Sequence, residues 1–243
     1  MTRLSKLALL LVFLMILSLL SLYSLRYLPI KIVEDVLISG GPKSYEIAKM
    51  TASLPGLSYY RIRRGALEDN IEKLSYVESA KAGIKNGSLK LDIAFRDGLI
   101  LESGKSSYFL TDDEISLISK RDAESLKDEY FTLTISDSFL EYIARFGIDS
   151  YLKSTIDSLK SIKEYHSLID KAEYDNNKVT GKGELSLTLN SLNATLKTSD
   201  SVDSGRLISS LKIIRDEQEK SDMFFASPVN YELRANQLVR LKG

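Results

Sequence analysis

An uncharged, leucine-rich run over residues 7–25 constrains this chain more than any other sequence feature. As an α-helix, its 19 residues would rise about 1.5 Å each and reach about 28 Å, close to the roughly 30 Å of a membrane's hydrocarbon core. A cleavable signal peptide has a shorter apolar core and a small-x-small cleavage site, which this run lacks. The run therefore predicts a transmembrane helix over residues 7–25, preceded by a cytoplasmic tail over residues 1–6.

No later segment of the sequence is as long and as apolar, so the chain is expected to cross a membrane once. Arg3 and Lys6 precede the run, and more than 200 residues follow it. Arg26 and Lys31 follow the run, so the flanking charges are nearly balanced, and the positive-inside rule favours a cytoplasmic N-terminus without deciding it. The expected localisation is thus single-pass, with an extracytoplasmic C-terminal part that carries the function.

Charge balance and rare residue types exclude several function classes. The chain has 33 basic and 33 acidic residues, whereas nucleic-acid binding needs a concentrated excess of Lys and Arg. It has no cysteine and one histidine, which excludes thiolate zinc sites, iron–sulfur clusters and a multi-histidine metal site within one chain. These counts argue against a nucleic-acid partner and remove many enzyme classes. Because no catalytic motif is complete either, we expect no metal or other cofactor, no small-molecule substrate and no enzymatic activity.

Residues 30–97 are predicted to form a strand, two helices and a hairpin. The signals are an alternating strand over residues 30–39, an N-cap at Ser44, helical spacing of Leu67, Ile71 and Leu74, and strands over 77–85 and 89–95. Asn86-Gly87 joins the last two strands, because both positions of a type I′ turn need positive φ.

Residues 98–243 are predicted to be rich in β-strands, with helices at their flanks. The apolar spacing predicts helices at residues 152–162 and 207–214, and strands at 185–189, 192–197, 231–234 and 238–241. The fold class expected for the whole chain is α+β.

The succession of these elements resembles the FtsQ/DivIB family of bacterial cell-division proteins. The order strand, helix, helix, strand, strand is that of a POTRA module. The residues that carry the resemblance are Val33-x-x-Val36-x-Ile38-x-Gly40, the helix start at Ser44, the strand from Leu89 to Arg96, Tyr108-Phe109-Leu110-Thr111-Asp112, and Glu232-Leu233-Arg234 before a final apolar strand.

The resemblance implies an N-terminal transmembrane helix, a POTRA-like domain over residues 30–97, and a mostly antiparallel β domain with flanking helices over residues 98–243. It also implies a bitopic inner-membrane scaffold of the division machinery, acting in septum formation and the cell cycle. Its partners would be FtsB/FtsL-type bitopic division proteins, bound by strand addition and helix contacts. The partner-binding residues carried over are Arg234, Leu238, Val239, Arg240 and Leu241.

The last strand is also a candidate binding site on physical grounds alone. A sheet of antiparallel strands has edges whose unpaired N–H and C=O groups can accept a partner's strand. Two other functions stay open from the sequence: a membrane-tethered extracytoplasmic enzyme and a POTRA-bearing chaperone or assembly factor.

Isolated motifs for chemistry have simpler explanations. Ser150 with Lys153, and Ser209 with Lys212, fit a Ser-x-x-Lys pattern but lack its partner motifs. The acidic residues 112–114 lack the spacing of a calcium loop and predict a solvated turn. His166 is expected to have a capping or a surface role rather than a catalytic one.

Overall fold

The computed structural model describes residues 11–21, 31–112, 114–176, 183–199, 203–220, 228–234 and 237–241. Residues 11–21 form a helix, α1. No helix among the described residues is long and apolar enough to cross a membrane.

This finding contradicts the predicted transmembrane helix, the predicted membrane contact through it, and the predicted single-pass inner-membrane localisation. The two flanks of the predicted span, residues 7–10 and 22–25, lie outside the described residues, as does the predicted tail over residues 1–6.

Residues 31–96, here called the small lobe, contain the five elements that the sequence predicts for this region. The elements are β1 (Asp35–Ser39), α2 (Tyr45–Thr51), α3 (Arg64–Glu72), β2 (Val77–Lys85) and β3 (Ser88–Phe95). β3 lies at the centre of a three-stranded sheet, parallel to β1 and antiparallel to β2. Asn86 and Gly87 both have positive φ, 52° and 87°, so the predicted hairpin turn is present.

One edge of the small sheet is closed by a helix. α3 lies along β2, and the Glu72 carboxylate accepts a hydrogen bond from the backbone N–H of Ala80 at 2.9 Å. Glu68, one turn earlier, accepts from the N–H of Ala82 at 2.6 Å. These two amides point away from β3, so they are the groups that an added strand would need. The side chains of α3 occupy them instead.

Residues 97–241, here called the large lobe, are organised on one sheet of nine strands. The strands are β4 (Leu99–Glu102), β5 (Ser107–Leu110), β6 (Ile115–Ile118), β7 (Thr132–Ile135), β8 (Lys171–Asn176), β9 (Gly183–Leu189), β10 (Ala194–Ser199), β11 (Val229–Arg234) and β12 (Gln237–Leu241). Their order across the sheet is β12-β11-β10-β9-β8-β7-β4-β5-β6.

The sheet is mixed, with three parallel pairings beside the antiparallel majority that the prediction of a mostly antiparallel domain expects. Neighbouring strands are parallel at β4–β7, β7–β8 and β10–β11, and antiparallel at the other five pairings. The cause is connectivity: helices separate β6 from β7, β7 from β8 and β10 from β11. A helical crossover returns the chain in the same direction, whereas a hairpin reverses it.

Within the described residues, the large lobe has four α-helices: α4 (Lys120–Leu126), α5 (Asp137–Phe146), α6 (Ser150–Ser161) and α7 (Ser204–Glu219). The main apolar cluster joins residues of α5, α6 and α7 to alternate residues of the sheet, among them Leu133, Leu187, Leu196 and Tyr231. The intervening residues of β7 to β11 are polar, whereas Ile100, Phe109 and Ile118 of β4 to β6 are buried. The large lobe therefore has one helix-covered face, and its second face is open over β7 to β12 but covered over β4 to β6 by α4 and the small lobe.

A second apolar cluster joins the two lobes. It contains Ile47 and Tyr76 of the small lobe together with Phe109, Ile118 and Leu126 of the large lobe. The Phe109 ring contacts Tyr76 edge-on, with 5.9 Å between ring centroids. The lobes thus share a core in addition to the chain that connects them.

A buried polar network accompanies this junction. Ser44, the N-cap of α2, donates its hydroxyl proton to the Asp122 carboxylate of the large lobe at 2.9 Å. Its one proton is thereby used, so the Tyr76 hydroxyl, 2.7 Å away, donates to Ser44. Burial raises the pKa of Tyr76. Asp122 also accepts from the backbone N–H of Glu46 at 3.2 Å, so it supports the start of α2 across the junction.

Candidate functional site

The predicted partner-binding strand, β12, lies at one end of the nine-stranded sheet in the described part of the chain. It pairs on one side with β11, in antiparallel register from Asn230 opposite Leu241 to Arg234 opposite Gln237. The two residues of the connecting turn, 235 and 236, lie outside the described residues. The other side of β12 is the rim of the sheet.

The direction of the main-chain groups on β11 can be read from its contact with β10. The N–H of Val229 donates to the carbonyl of Asn193 at 2.9 Å, so Val229 directs its main-chain groups toward β10. Successive residues of a strand direct these groups to opposite sides. The residues of β11 that face β12 are therefore Asn230, Glu232 and Arg234.

The rim of β12 follows from this alternation. Val239 and Leu241 lie opposite Glu232 and Asn230, and their main-chain groups face β11. Leu238 and Arg240 direct their N–H and C=O groups outward, away from the sheet. These two residues carry the groups that could pair with an added strand.

Side chains of β12 alternate between the two faces of the sheet. Leu238 packs against the main apolar cluster, and Arg240 lies opposite Tyr231 on the same helix-covered face. Val239 and Leu241 lie on the open face. Val239 ends a row of otherwise polar side chains that runs across this face through Thr134, Glu173, Ser186, Lys197 and Glu232.

Arg234 is separated from the other predicted residues. It lies on β11, the strand behind β12, and its side chain is 62% exposed on the open face. Its guanidinium donates to the Glu232 carboxylate at 2.6 Å, which lowers the pKa of Glu232. The structure thus brings four of the five predicted residues together on the rim strand, and it places Arg234 one strand away.

Tyr231 is an anchoring residue that the sequence reasoning did not assign. Its hydroxyl donates to Glu217 at 2.8 Å and accepts from Gln218 at 2.9 Å, both at the end of α7. Burial and the neighbouring Glu217 raise the pKa of Tyr231. This contact fixes the β11–β12 hairpin to α7. Tyr231 and its partners lie on different elements, so a local sequence pattern does not predict their contact.

Residues of the Ser-x-x-Lys pattern and of the acidic turn make ordinary hydrogen bonds and ion pairs in the structure. Ser209 donates to the carbonyl of Gly205 in its own helix at 2.8 Å. Asp112 pairs with Lys160, which lowers the pKa of Asp112; Asp113 lies outside the described residues. Among the residues that the structure describes, no group of three or more His, Cys, Asp or Glu side chains could hold a metal ion.

No protein-family model matches the chain, and no curated protein matches it significantly.

Proposed function

We propose that this protein is a non-catalytic scaffold of the bacterial division machinery that binds FtsB/FtsL-type division proteins. The observation that carries the proposal is the rim of β12, where Leu238 and Arg240 direct their main-chain groups outward at the end of a nine-stranded sheet. The resemblance to the FtsQ/DivIB family supplies the class of partner. Binding consists of strand addition, so it needs no catalytic group.

The residues at the rim of β12 determine which side chains are favourable in an added partner strand. Main-chain hydrogen bonds supply affinity that is independent of sequence, whereas alternate side chains supply specificity. On the open face, an added strand would lie beside Val239 and Leu241 and gain from apolar residues there. On the helix-covered face it would lie beside Leu238 and the Arg240 guanidinium, so an acidic residue would be favoured.

A proline at Arg240 tests strand addition without removing a bond of the hairpin. The N–H of Arg240 points outward, so Arg240→Pro removes a group that only a partner uses, and proline is tolerated in edge strands at such positions. Arg240→Ala removes the same side chain but keeps the N–H. In affinity capture of FtsB/FtsL-type proteins from the source cells, we expect Arg240→Pro to weaken recovery at least tenfold relative to Arg240→Ala, about 1.4 kcal/mol or more.

Val239 serves as the internal comparison. Its N–H bonds β11, so Val239→Pro should destabilise the hairpin and lower the melting temperature, whereas Arg240→Pro should not. Equal recovery of the division proteins by wild type and Arg240→Pro would contradict strand addition at β12. Absence of FtsB/FtsL-type proteins from the wild-type capture would contradict the proposed function itself.

A further inference from the structure

The opposite end of the nine-stranded sheet, β6, also has outward main-chain groups. The loop between β5 and β6 is closed by a hydrogen bond from the N–H of Thr111 to the carbonyl of Glu114, at 2.9 Å. Bonded and non-bonded pairs alternate from there, so Ser116 bonds β5. Ile115 and Leu117 direct their N–H and C=O groups away from the sheet. Among the described residues, these outward groups have no hydrogen-bond partner.

This rim differs from the closed edge of the small sheet. On β2, the carboxylates of Glu68 and Glu72 occupy the outward amides. No described side chain does the same on β6, and the Leu117 side chain is 68% exposed. Proteins ordinarily avoid exposed apolar residues on edge strands that are free to pair, unless the edge binds a partner.

Two cavities flank β6, one on each face of the sheet. The first, of about 400 Å³, lies between β6 and the small-lobe turn that joins α3 to β2. The second, of about 420 Å³, lies on the helix-covered face and is lined by Ile115, Ile148 and Ile156 among others. Side chains of a strand added to β6 alternate in direction, so one set would enter each cavity.

The two cavities favour different side chains. Four acidic residues and two basic residues line the first cavity: Glu46, Glu72, Glu114 and Asp122, with Lys73 and Arg96. The Lys73 ammonium donates to Asn70 at 3.2 Å, and the Glu46 carboxylate pairs with Lys49 at 3.3 Å, so acidic residues still outnumber basic ones in this lining. The first cavity therefore favours Lys or Arg from an occupant. Charged residues also line the second cavity, among them Asp112, Lys153, Asp157 and Lys160, and Asp112 pairs with Lys160. The isoleucines of this cavity favour aliphatic side chains, whose burial contributes about 25 cal/mol per Å².

We propose that β6 is a second docking strand, which accepts an extended segment of a partner protein in which basic and aliphatic residues alternate. The basic residues enter the cleft between the lobes, and the aliphatic residues enter the cavity lined by Ile115 and Ile148. The site is independent of the division partners and of β12, since the two strands are at opposite ends of the sheet.

A peptide experiment on the full chain tests this site directly. The probe is an eight-residue peptide of alternating lysine and valine with blocked ends, and the comparison peptide replaces lysine with glutamate. Hydrogen exchange read by NMR should show protection of the Ile115 and Leu117 amides by the lysine peptide. Calorimetric titration should give at least tenfold weaker binding for the glutamate peptide.

Leu117→Pro and Leu117→Ala form the matched variants. Both remove the exposed leucine side chain, but only the proline removes the outward N–H, so Leu117→Pro should bind the lysine peptide at least tenfold more weakly than Leu117→Ala. Ser116→Lys, which leaves the backbone unchanged and adds a positive charge at the cleft, should weaken binding at least fivefold. Arg240→Pro should leave binding unchanged, which separates this proposal from the function proposed for β12.

Three results would overturn the proposal. The first is no protection of the β6 amides in the wild type. The second is equal binding of the lysine and glutamate peptides, or of the lysine peptide to Leu117→Pro and Leu117→Ala. The third is a concentration-dependent dimer in analytical ultracentrifugation that Leu117→Pro abolishes, because the rim would then be used by a second copy of this chain.

Discussion

His166 is the only histidine of the chain, and its environment is defined by one ring and one carbonyl. The imidazole stacks on Phe131 with 4.2 Å between ring centroids. Its Nε2 donates to the carbonyl of Leu159 in the last turn of α6 at 2.9 Å. Partial burial disfavours the charged ring, and this lowers the pKa of His166 below the 6.5 of an unperturbed histidine.

This shift predicts how stability depends on pH. A histidine with a lowered pKa in the folded state binds its proton more readily in the unfolded state, so the free energy of unfolding falls as pH drops through about 6.5. We expect the His166 ring resonances to titrate below pH 6.5 in NMR, and urea unfolding to show lower stability at pH 5.5 than at pH 7.5.

The matched variant is His166→Gln, which can still donate to the Leu159 carbonyl but does not titrate. It should flatten the pH dependence between 7.5 and 5.5. An imidazole pKa at or above 6.5, or an unchanged pH dependence in His166→Gln, would show that burial of this ring is not coupled to folding.

At the scale of single elements, hydrophobic spacing and turn chemistry predict much of what the structure contains. β2 has the predicted bounds Val77–Lys85, and Asn86-Gly87 makes the predicted turn, because both signals are local. The short strands β4, β6 and β7 were not predicted, since four residues give too little alternation. The parallel pairings were missed because they depend on helices between the strands.

α3 protects the outward amides of β2 through the carboxylates of Glu68 and Glu72. Replacing both Glu68 and Glu72 with alanine removes the acceptors for the amides of Ala80 and Ala82, which should cost about 1 kcal/mol for each bond. We expect hydrogen exchange of these two amides to accelerate at least fivefold. The double Glu→Gln variant keeps an acceptor oxygen at each position and should exchange much like the wild type.

Glu78, which is exposed on the same strand, provides a surface control. Glu78→Ala should leave the two amides as slow as in the wild type. If Glu78→Ala and the double alanine variant accelerated exchange equally, the amides would be protected by the packing of α3 in general and not by its carboxylates.

At the scale of the whole molecule, the junction between the lobes is the feature that the sequence did not predict. Ser44 was recognised as an N-cap, but its bond to Asp122 joins residues that are 78 positions apart. Phe109 and Tyr76 are also far apart in sequence, so no local pattern predicts their contact. The candidate rim was easier to predict, because a final strand in a sheet is often an edge, but which residues of β12 face outward required the register with β11.

The shared core predicts that the two lobes unfold together. Phe109 is fully buried between Tyr76 of the small lobe and Tyr130 of the large lobe. Phe109→Ala should therefore lower the free energy of unfolding by about 3–5 kcal/mol. Global hydrogen exchange of Ile93 in the small lobe and Leu187 in the large lobe should report the same decrease.

Phe146→Ala is the control, because this side chain is 73% exposed and its loss should change stability by no more than about 0.5 kcal/mol. A decrease confined to Leu187 after Phe109→Ala would mean that the small lobe folds independently.

The two open ends of the nine-stranded sheet differ from each other, and this has a consequence for concentrated solutions. If the β12 end of one copy met the β6 end of the next, the contact would be heterologous, and nothing in its geometry would close a ring. Such an array would be an open-ended polymer that could add further copies at both ends. A ligand bound to β12 or to β6 would block this contact between copies. Occupying either site should therefore also keep the protein monodisperse.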